Sequence, residues 1–314
     1  MAETVERTVP GKIILCGEHS VVYGRPAIAV PVSDLRARAR IEPAALPGLR
    51  IVARDVQQTV SVHDAPPHNA LAQAARLTLE RLEAAAPSAT LTVQSALPIA
   101  AGLGSGAAVT VAIARALSAF LGAELSADEL SALTYEVEKI HHGTPSGIDN
   151  TVIAWEKPVY FVTDHPPETF AIGAAFDLLI ANSGIASSTR AVVSDVRYRW
   201  LANPEFYDVL FDCVGAIARA ARSAIEHGAI PALGTLLNEN HELLARMGVS
   251  IPQLDHMVRA ARQAGALGAK LTGSGQGGNV IALIESEQQA AVAAALQAAG
   301  AVKVWHTRIG GTCD

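Results

Sequence analysis

Apolar and polar positions alternate in short runs along the first half of the chain. These runs predict strands at residues 12–17, 27–32, 34–41, 49–53 and 91–95. Residues 68–86 repeat their apolar positions at helical spacing, and residues 105–121 are apolar on every side, which predicts a buried helix. Ser126 and Glu129 have the spacing of a capping box, so a helix is expected from there toward His142. The polar stretch 141–147 predicts a loop ending in a Pro-Ser-Gly turn, with Asp149 standing between that turn and an apolar strand.

Pro166, Pro167 and Gly173 interrupt the pattern, which suggests two domains, 1–172 and 173–314. Beyond the interruption a strand is expected at 177–181, then several helices between 187 and 264. Strands at 269–272 and 279–284, a helix at 286–299 and a strand at 302–308 complete the chain. The order β–helices–β–β–α–β is consistent with a split βαβ, ferredoxin-like domain.

The bulk properties narrow the function classes. The 314 residues are 50% hydrophobic and 17% charged, so the chain can bury a sizeable core. Aromatic residues make up only 4%, so that core is built from Ala, Val, Leu and Ile. The balance of 24 basic against 30 acidic residues gives a net charge of −6, which argues against general nucleic-acid binding. Arg36, Arg38 and Arg40 alternate with apolar neighbours and read as the wet face of a strand. Cys16, Cys213 and Cys313 are odd in number and widely spaced, with no CxxC pair. They suggest neither a disulfide framework nor a zinc site, and a reducing cytoplasm fits best. The uncharged stretch 84–114 is broken by Pro87, Pro98, Gly102, Gly104 and Gly106, so no membrane helix is expected, and the N-terminus lacks the apolar core of a signal peptide.

Two glycine loops stand out. The first, Pro98–Ala108, lies between an expected strand and an expected helix and reads Pro-Ile-Ala-Ala-Gly-Leu-Gly-Ser-Gly-Ala-Ala. Glycines let a backbone approach a ligand closely, and a helix N-terminus supplies N–H groups and partial positive charge, so this loop suits a phosphate. A tight turn with close helix–strand packing is the plain alternative. The stretch also fits GxGxxG/A, but the acidic residue at the right distance, Glu124, lies between two helices, so the dinucleotide reading fails on context. The second loop, residues 273–278, is followed by a strand. A flexible hairpin and a loop closing over a polar ligand both fit it. No GxxxxGK[ST] is present.

Several polar residues sit in apolar surroundings. Lys12 precedes an apolar strand and Glu18 and His19 follow it. A lysine there either snorkels from a strand edge or has a partner and a task. Asp149 fits an Asx turn, a general base or the anchor of a lysine. Glu138, in the last turns of a helix, is either ordinary surface or a hard oxygen ligand for magnesium. His141 and His142 are adjacent and no HExxH occurs, which argues against a zinc hydrolase.

Together these pieces resemble the GHMP kinases. Three motifs stand in that family's order: residues 10–24 (Pro-Gly-Lys-Ile-Ile-Leu-Cys-Gly-Glu-His-Ser-Val-Val-Tyr-Gly), the Gly-Leu-Gly-Ser loop at 102–105, and Lys-Leu-Thr-Gly-Ser-Gly-Gln-Gly-Gly at 270–278. Residues 142–150 and 240–250 are similar to the family's mevalonate kinase branch.

The resemblance implies an α+β fold of two domains, S5-like and ferredoxin-like, with the active site between them. It also implies ATP and Mg2+ as cofactors and a small alcohol, mevalonate, as substrate. It matches Asp149 to the catalytic aspartate and Lys12 to the lysine beside it. Glu18, His19, Ser188 and Thr189 match substrate-site positions. Pro98, Ala101, Gly102, Leu103, Gly104, Ser105, Gly106, Ala107 and Ala108 match the ATP phosphate loop, and Gly273 and Gly275 the third motif. Glu138 matches the magnesium ligand. The family usually has a second serine where this chain has Gly106, so the metal shell departs here, with Ser105 or a water as the substitute. Ser274 and Gln276 interrupt a usual glycine run. Phosphomevalonate kinase, a sugar kinase and a non-catalytic binding module are the alternatives. Homodimers are common in the family, and the sequence itself shows none.

Overall fold

Strands and helices alternate much as the hydrophobic pattern requires. The computed structural model describes residues 3–98, 102–142 and 145–310, with the backbone alone at His141 and His142. Packing divides the chain into two units with interleaved boundaries. The first comprises Met1–Gly11, Leu35–Ile99 and Gly104–Glu156, and the second Lys12–Asp34, Ala100–Leu103 and Lys157–Asp314. This division differs from one cut at 172/173 because Lys12–Asp34 packs with the C-terminal part of the chain.

In the first unit, the outer part of β2 (Ala27–Pro43) pairs antiparallel with β5 (Ala89–Ser95) from Ala37↔Ser95 to Pro43↔Ala89. β5 runs parallel to β3 (Leu49–Ala53), which pairs antiparallel with β4 (Gln58–Ser61). Helices α1 (Ala70–Arg81), α2 (Ser105–Phe120), α3 (Ala127–His142) and α4 (Ile148–Trp155) complete the unit. The apolar helix α2 is buried from Ala107 to Ser118 apart from Val109 and Arg115. The expected capping box is formed: Glu129 accepts from the Ser126 backbone and hydroxyl at 2.8 Å each, and the Glu129 amide donates to Ser126 Oγ at 3.2 Å.

Three expectations shift. β1 runs over Val5–Cys16, beginning seven residues before the expected start, because the Thr- and Val-containing segment ahead of Pro10 also suits a strand. Residues 27–32 and 34–41 belong to one strand, β2, which continues through Pro31. The strand expected after Asp149 is a helix, α4. Its eight residues are buried on nearly all sides, so their apolar run carried no period to separate helix from strand.

In the second unit, β2 pairs through Ala27–Ala29 with β6 (Val159–Phe161), which also pairs with β7 (Glu168–Thr169). A separate sheet contains β8 (Phe176–Asn182), β9 (Gly268–Thr272), β10 (Asn279–Ile284) and β11 (Lys303–Ile309) in the order β11-β8-β10-β9, with every pair antiparallel. That order is the split βαβ arrangement expected from the sequence. Between β8 and β9 run α5 (Thr189–Ala202), α6 (Pro204–Glu226), α7 (Ile230–Arg246) and α8 (Pro252–Gln263), and α9 (Gln289–Ala298) precedes β11. Their apolar faces bury Phe211, Leu244, Met247 and Met257 with Leu271 and Val280 of the sheet.

β9 lies at the edge of that sheet, where its outward N–H groups need acceptors. α7 supplies them. Asn238 Oδ1 accepts from the Ala269 amide at 2.9 Å and His241 Nδ1 from the Leu271 amide at 3.3 Å. Arg262 of α8 donates to the Ala269 carbonyl at 3.0 Å. Residues three apart on a helix thus serve residues two apart on a strand. Asn238→Ala would leave the Ala269 amide unpaired beside a packed helix, and urea unfolding is expected to show a loss of about 1–3 kcal/mol.

Candidate active site

The second unit carries a cluster of buried polar groups at the end of β1. Lys12 is 3% exposed, Glu18 1% and His19 6%. The Lys12 amide donates to the Leu103 carbonyl at 3.0 Å, which fastens the strand to the first glycine loop. Gly17 turns the chain between them with φ 103°. A side chain there would strike Ala27 Cα at 2.3 Å, so only glycine fits.

His19 holds a positive φ of 61°, uncommon for a residue with a side chain. Its Nε2 meets the Ser274 carbonyl at 2.8 Å. A carbonyl only accepts, so Nε2 carries the proton and Nδ1 is left as an acceptor. Nδ1 is buried without a protein partner. Burial, against the opposing Ser274 carbonyl and with a smaller push from Lys270, lowers the His19 pKa to about 4. Cys16, buried beside this cluster, is pushed up to about 12 by burial and stays a thiol.

Lys270 of β9 has no exposed surface and forms an ion pair with Glu18 Oε1. Its ammonium also donates to the Leu271 carbonyl at 2.6 Å. Burial pushes the Glu18 carboxyl up, and Lys270, then a backbone hydrogen bond, then Lys12 pull it part of the way back. Lys270 opens the third sequence motif, and the family resemblance implies no role for it. The available signal was a lysine inside an otherwise apolar strand.

The loop between β9 and β10 is fastened on both sides. Ser187 Oγ donates to the Gly275 carbonyl at 2.6 Å, and the Gln276 amide donates to the Val249 carbonyl at 2.8 Å. The Gln276 side chain donates to the Gly248 carbonyl at 2.9 Å. Gly275, with φ 76°, lies so near the Val249 carbonyl that a Cβ would stand 2.1 Å from its oxygen. Gln276 therefore anchors the loop at a place where a longer glycine run was expected. Thr189 Oγ1 donates to Ser274 Oγ at 3.4 Å, and Ser188 caps α5 by accepting from the Ala191 amide at 3.4 Å. A Cβ at Gly273 would stand 3.9 Å from Gly102 Cα, so the two glycine loops lie side by side. The second unit thus gathers Lys12, Glu18, His19, Thr189, Gly102, Leu103, Gly273 and Gly275.

The first unit carries the remaining candidates. α2 begins after Gly104, whose φ of 71° makes the turn into it, and no side chain caps its start. The first N–H groups of a helix, here those of Ser105, Gly106 and Ala107, lack helical acceptors and suit an anion. Ala108 N–H donates to the Gly104 carbonyl at 2.9 Å and begins the helical ladder. Glu138 of α3 is 4% exposed, and its Oε1 would stand 3.0 Å from a Cβ at Gly106. Gly106 has an ordinary φ, so backbone conformation does not demand glycine. The atom nearest such a Cβ is the end of a flexible side chain, so the space there constrains the residue only weakly. A hard carboxylate oxygen beside an uncapped helix start is chemistry that fits magnesium. Among the described residues no group of three or more His, Cys, Asp or Glu could hold a metal ion.

Asp149 lies in the first turn of α4, where the helix dipole favours a carboxylate. α4 is locked onto α3: Asn150 donates to Ser131 Oγ at 2.9 Å and Trp155 Nε1 to Asp128 at 2.9 Å. Thr151 Oγ1 ties back to the Gly147 carbonyl at 2.7 Å. Pro98 is half-buried after β5, while Ala101 and residues 143–144 of the polar loop lie outside the described residues.

Comparison with known proteins agrees with this geometry. The model of the GHMP kinases N terminal domain matches residues 69–156 and that of the GHMP kinases C terminal matches 221–302. The chain is 36% identical to the mevalonate kinase of Thermococcus sibiricus, over 95% of this chain and 94% of that protein. It is 35% identical to that of Pyrococcus furiosus, over 93% and 92%. Among solved structures it superimposes on L. major mevalonate kinase in complex with R-mevalonate with a TM-score of 0.86, 29% identity and full coverage of both chains. For the Methanococcus jannaschii mevalonate kinase the TM-score is 0.87, with 26% identity and 98% coverage of each chain. The chain belongs to the GHMP kinases and, within them, to the mevalonate kinases. It is an ATP-dependent kinase with an alcohol acceptor, as the sequence motifs implied.

His19 and His241 make the folded state sensitive to acid. His241 is also lowered to about 4, first by burial and then by Arg262, with Asp255 opposing. An unfolded imidazole titrates near 6.5, so between about 6.5 and 4 the unfolded chain binds more protons than the folded one. Stability is therefore complete above that window and falls as pH drops through it. Urea midpoints are expected to fall between pH 7 and pH 4.5, and less steeply in His241→Gln. Parallel pH dependences of the two proteins would remove His241 from the account.

Proposed function

We propose that this kinase transfers the γ-phosphate of ATP to the primary hydroxyl of mevalonate, yielding 5-phosphomevalonate for isoprenoid biosynthesis. The observation that carries the reading is the placement of the family motifs on real structural features. The motif residues Lys12, Glu18 and His19 are buried polar groups, and Gly102 lies against Gly273. The relatives matched over nearly the whole chain bear the name mevalonate kinase.

Phosphoryl transfer passes through a loose transition state, so positioning and charge neutralisation supply most of the catalysis. The Pro98–Ala108 loop, including Ala101, Gly102, Leu103, Gly104, Ser105, Gly106, Ala107 and Ala108, is assigned to the ATP phosphates through the N–H groups at the start of α2. Gly273 and Gly275 are assigned to the nucleotide site as well. Glu138 and Ser105 would hold magnesium, which when bound neutralises phosphate charge. Glu18, His19, Ser188 and Thr189 are assigned to the alcohol site, Ser188 through its cap of α5 and Thr189 through Ser274.

Asp149 is assigned the hydroxyl proton. An aspartate is a weak base toward an alcohol, so proton transfer is late and Asp149 chiefly orients the hydroxyl. Lys12 is assigned as the cationic catalytic group. By motif, residues 1–172 form the ATP and catalytic domain and 173–314 the second domain, and the two family models fall on either side of that cut. Among the described residues no helix is long and apolar enough to cross a membrane. Cys16 and Cys213 are free thiols, which suits a cytoplasmic enzyme. A homodimer is the expected assembly on family grounds alone.

ADP release with magnesium and ATP is the test, across mevalonate, 5-phosphomevalonate, galactose and homoserine. Turnover is expected with mevalonate alone. Turnover with another alcohol would replace the substrate, and no turnover in folded protein would favour a non-catalytic module. Asp149→Asn is expected to lower kcat by about 10²-fold or more while ATP-analogue binding stays within a factor of two, roughly. Near-normal turnover in that variant would remove Asp149 from its role.

A further inference from the structure

A charged lysine with no exposed surface costs several kcal/mol unless a partner compensates it, so Lys270 calls for an explanation. Its neighbours Ala269 and Leu271 point into the apolar cluster beneath the sheet. Its ammonium faces the opposite need and is met by Glu18 Oε1 and the Leu271 carbonyl. Only one oxygen of Glu18 is used. The other, Oε2, is buried and has no protein partner. The next residue repeats the pattern, since His19 Nε2 is spent on Ser274 and Nδ1 is left as a buried acceptor. Two acceptors on consecutive residues therefore lack donors, and buried acceptors in folded proteins are normally satisfied.

We propose that Lys270 is a positioning residue, which holds Glu18 by one carboxylate oxygen and keeps it ionised so that the other oxygen accepts a hydrogen bond from a hydroxyl of the bound alcohol. The proposal rests on the reading of Glu18 and His19 as part of the alcohol site and gives that site a directional chemistry: it offers acceptors, so it selects ligands that donate. An ether or methyl in place of the hydroxyl would leave Glu18 Oε2 unpaired.

The groups around the carboxyl set its titration. Lys270 and Lys12 are the cations acting on Glu18. Cys16 is a thiol and His19 a neutral imidazole, and His241 of α7, which feels the Lys270 charge, is neutral near neutral pH. Burial works against ionisation and is the largest influence. Without Lys270 it would be opposed only by a backbone hydrogen bond and Lys12, and the carboxyl would hold its proton to higher pH. A protonated acid can turn its hydroxyl toward either neighbour and no longer presents a fixed acceptor.

The test uses Lys270→Met, Lys270→Arg, Glu18→Gln and the double variant Glu18→Gln/Lys270→Met in the full chain. Lys270→Met is expected to raise KM for the alcohol about tenfold or more, the size of a lost hydrogen bond to a charged group, with KM for ATP little changed. That KM should fall as pH rises, because higher pH restores the carboxylate, whereas the unmodified enzyme should be flat over the same range. Lys270→Arg should recover the flat profile. In the Glu18→Gln background, Lys270→Met should raise KM no further. The double variant carries no orphaned charge, so it keeps the test open if Lys270→Met alone does not fold. A folded Lys270→Met with ordinary KM and pH profile would overturn the proposal, as would an equal rise in KM with and without Glu18. The carboxyl ¹³C signal of Glu18, assigned by its loss in Glu18→Gln, separates this proposal from the choice of alcohol. It should report a carboxylate at neutral pH in the unmodified protein and an acid in Lys270→Met, whichever alcohol is turned over. Identical titrations in the two proteins would reject Lys270 as the group that keeps Glu18 ionised.

Discussion

The buried pair of Lys270 and Glu18 is the constraint on which the second unit is organised. A half-apolar chain excludes water from its interior, and two charges placed there survive only together. One charge sits on an edge strand and the other at the turn after β1, 252 residues earlier in sequence. Holding them in register requires that both the strand and the turn be rigid. The structure meets that requirement with specific contacts. Asn238 and His241 of α7 satisfy the edge of β9, Thr272 Oγ1 donates to the Ile14 carbonyl of β1 at 2.8 Å, and Gly17 packs where no side chain could.

The same economy appears in the glycine loops. Flexible sequence is made stiff by hydrogen bonds from outside it: Ser187, Val249 and His19 each hold one carbonyl or amide of the segment after β9. Preorganisation of this kind suits phosphoryl transfer, where the protein contributes placement and charge more than covalent chemistry. His19 accepts an uncommon backbone conformation and a depressed pKa to serve that placement, a cost expected at a functional position.

Much of the architecture was legible because it follows from local rules. The capping box at Ser126 and Glu129, the all-apolar helix α2 and the β–helices–β–β–α–β order appear as expected. What escaped had no local signal. Asp149 was assigned to the approach of a strand because α4 is buried nearly all round and shows no period. The partner of Lys270 could not be read from sequence, since nothing local links residues 18 and 270. The nearness of Gly106 to Glu138 was hidden for the same reason, because Glu138 stands on another helix. The family motifs drew attention to Lys12, Glu18 and His19, while the contacts these residues make needed the fold.

Phosphorus NMR of the product formed from ATP and R-mevalonate tests the central claim most directly. Transfer to the primary hydroxyl places the new phosphate on a CH2 group, so its phosphorus signal should be split by the two protons of that group as ATP is converted to ADP. A new phosphate signal without that splitting would place the phosphoryl group on another oxygen. Loss of ATP with only inorganic phosphate formed would show that no alcohol is phosphorylated. Either result would contradict the assignment of this site to the primary hydroxyl of mevalonate.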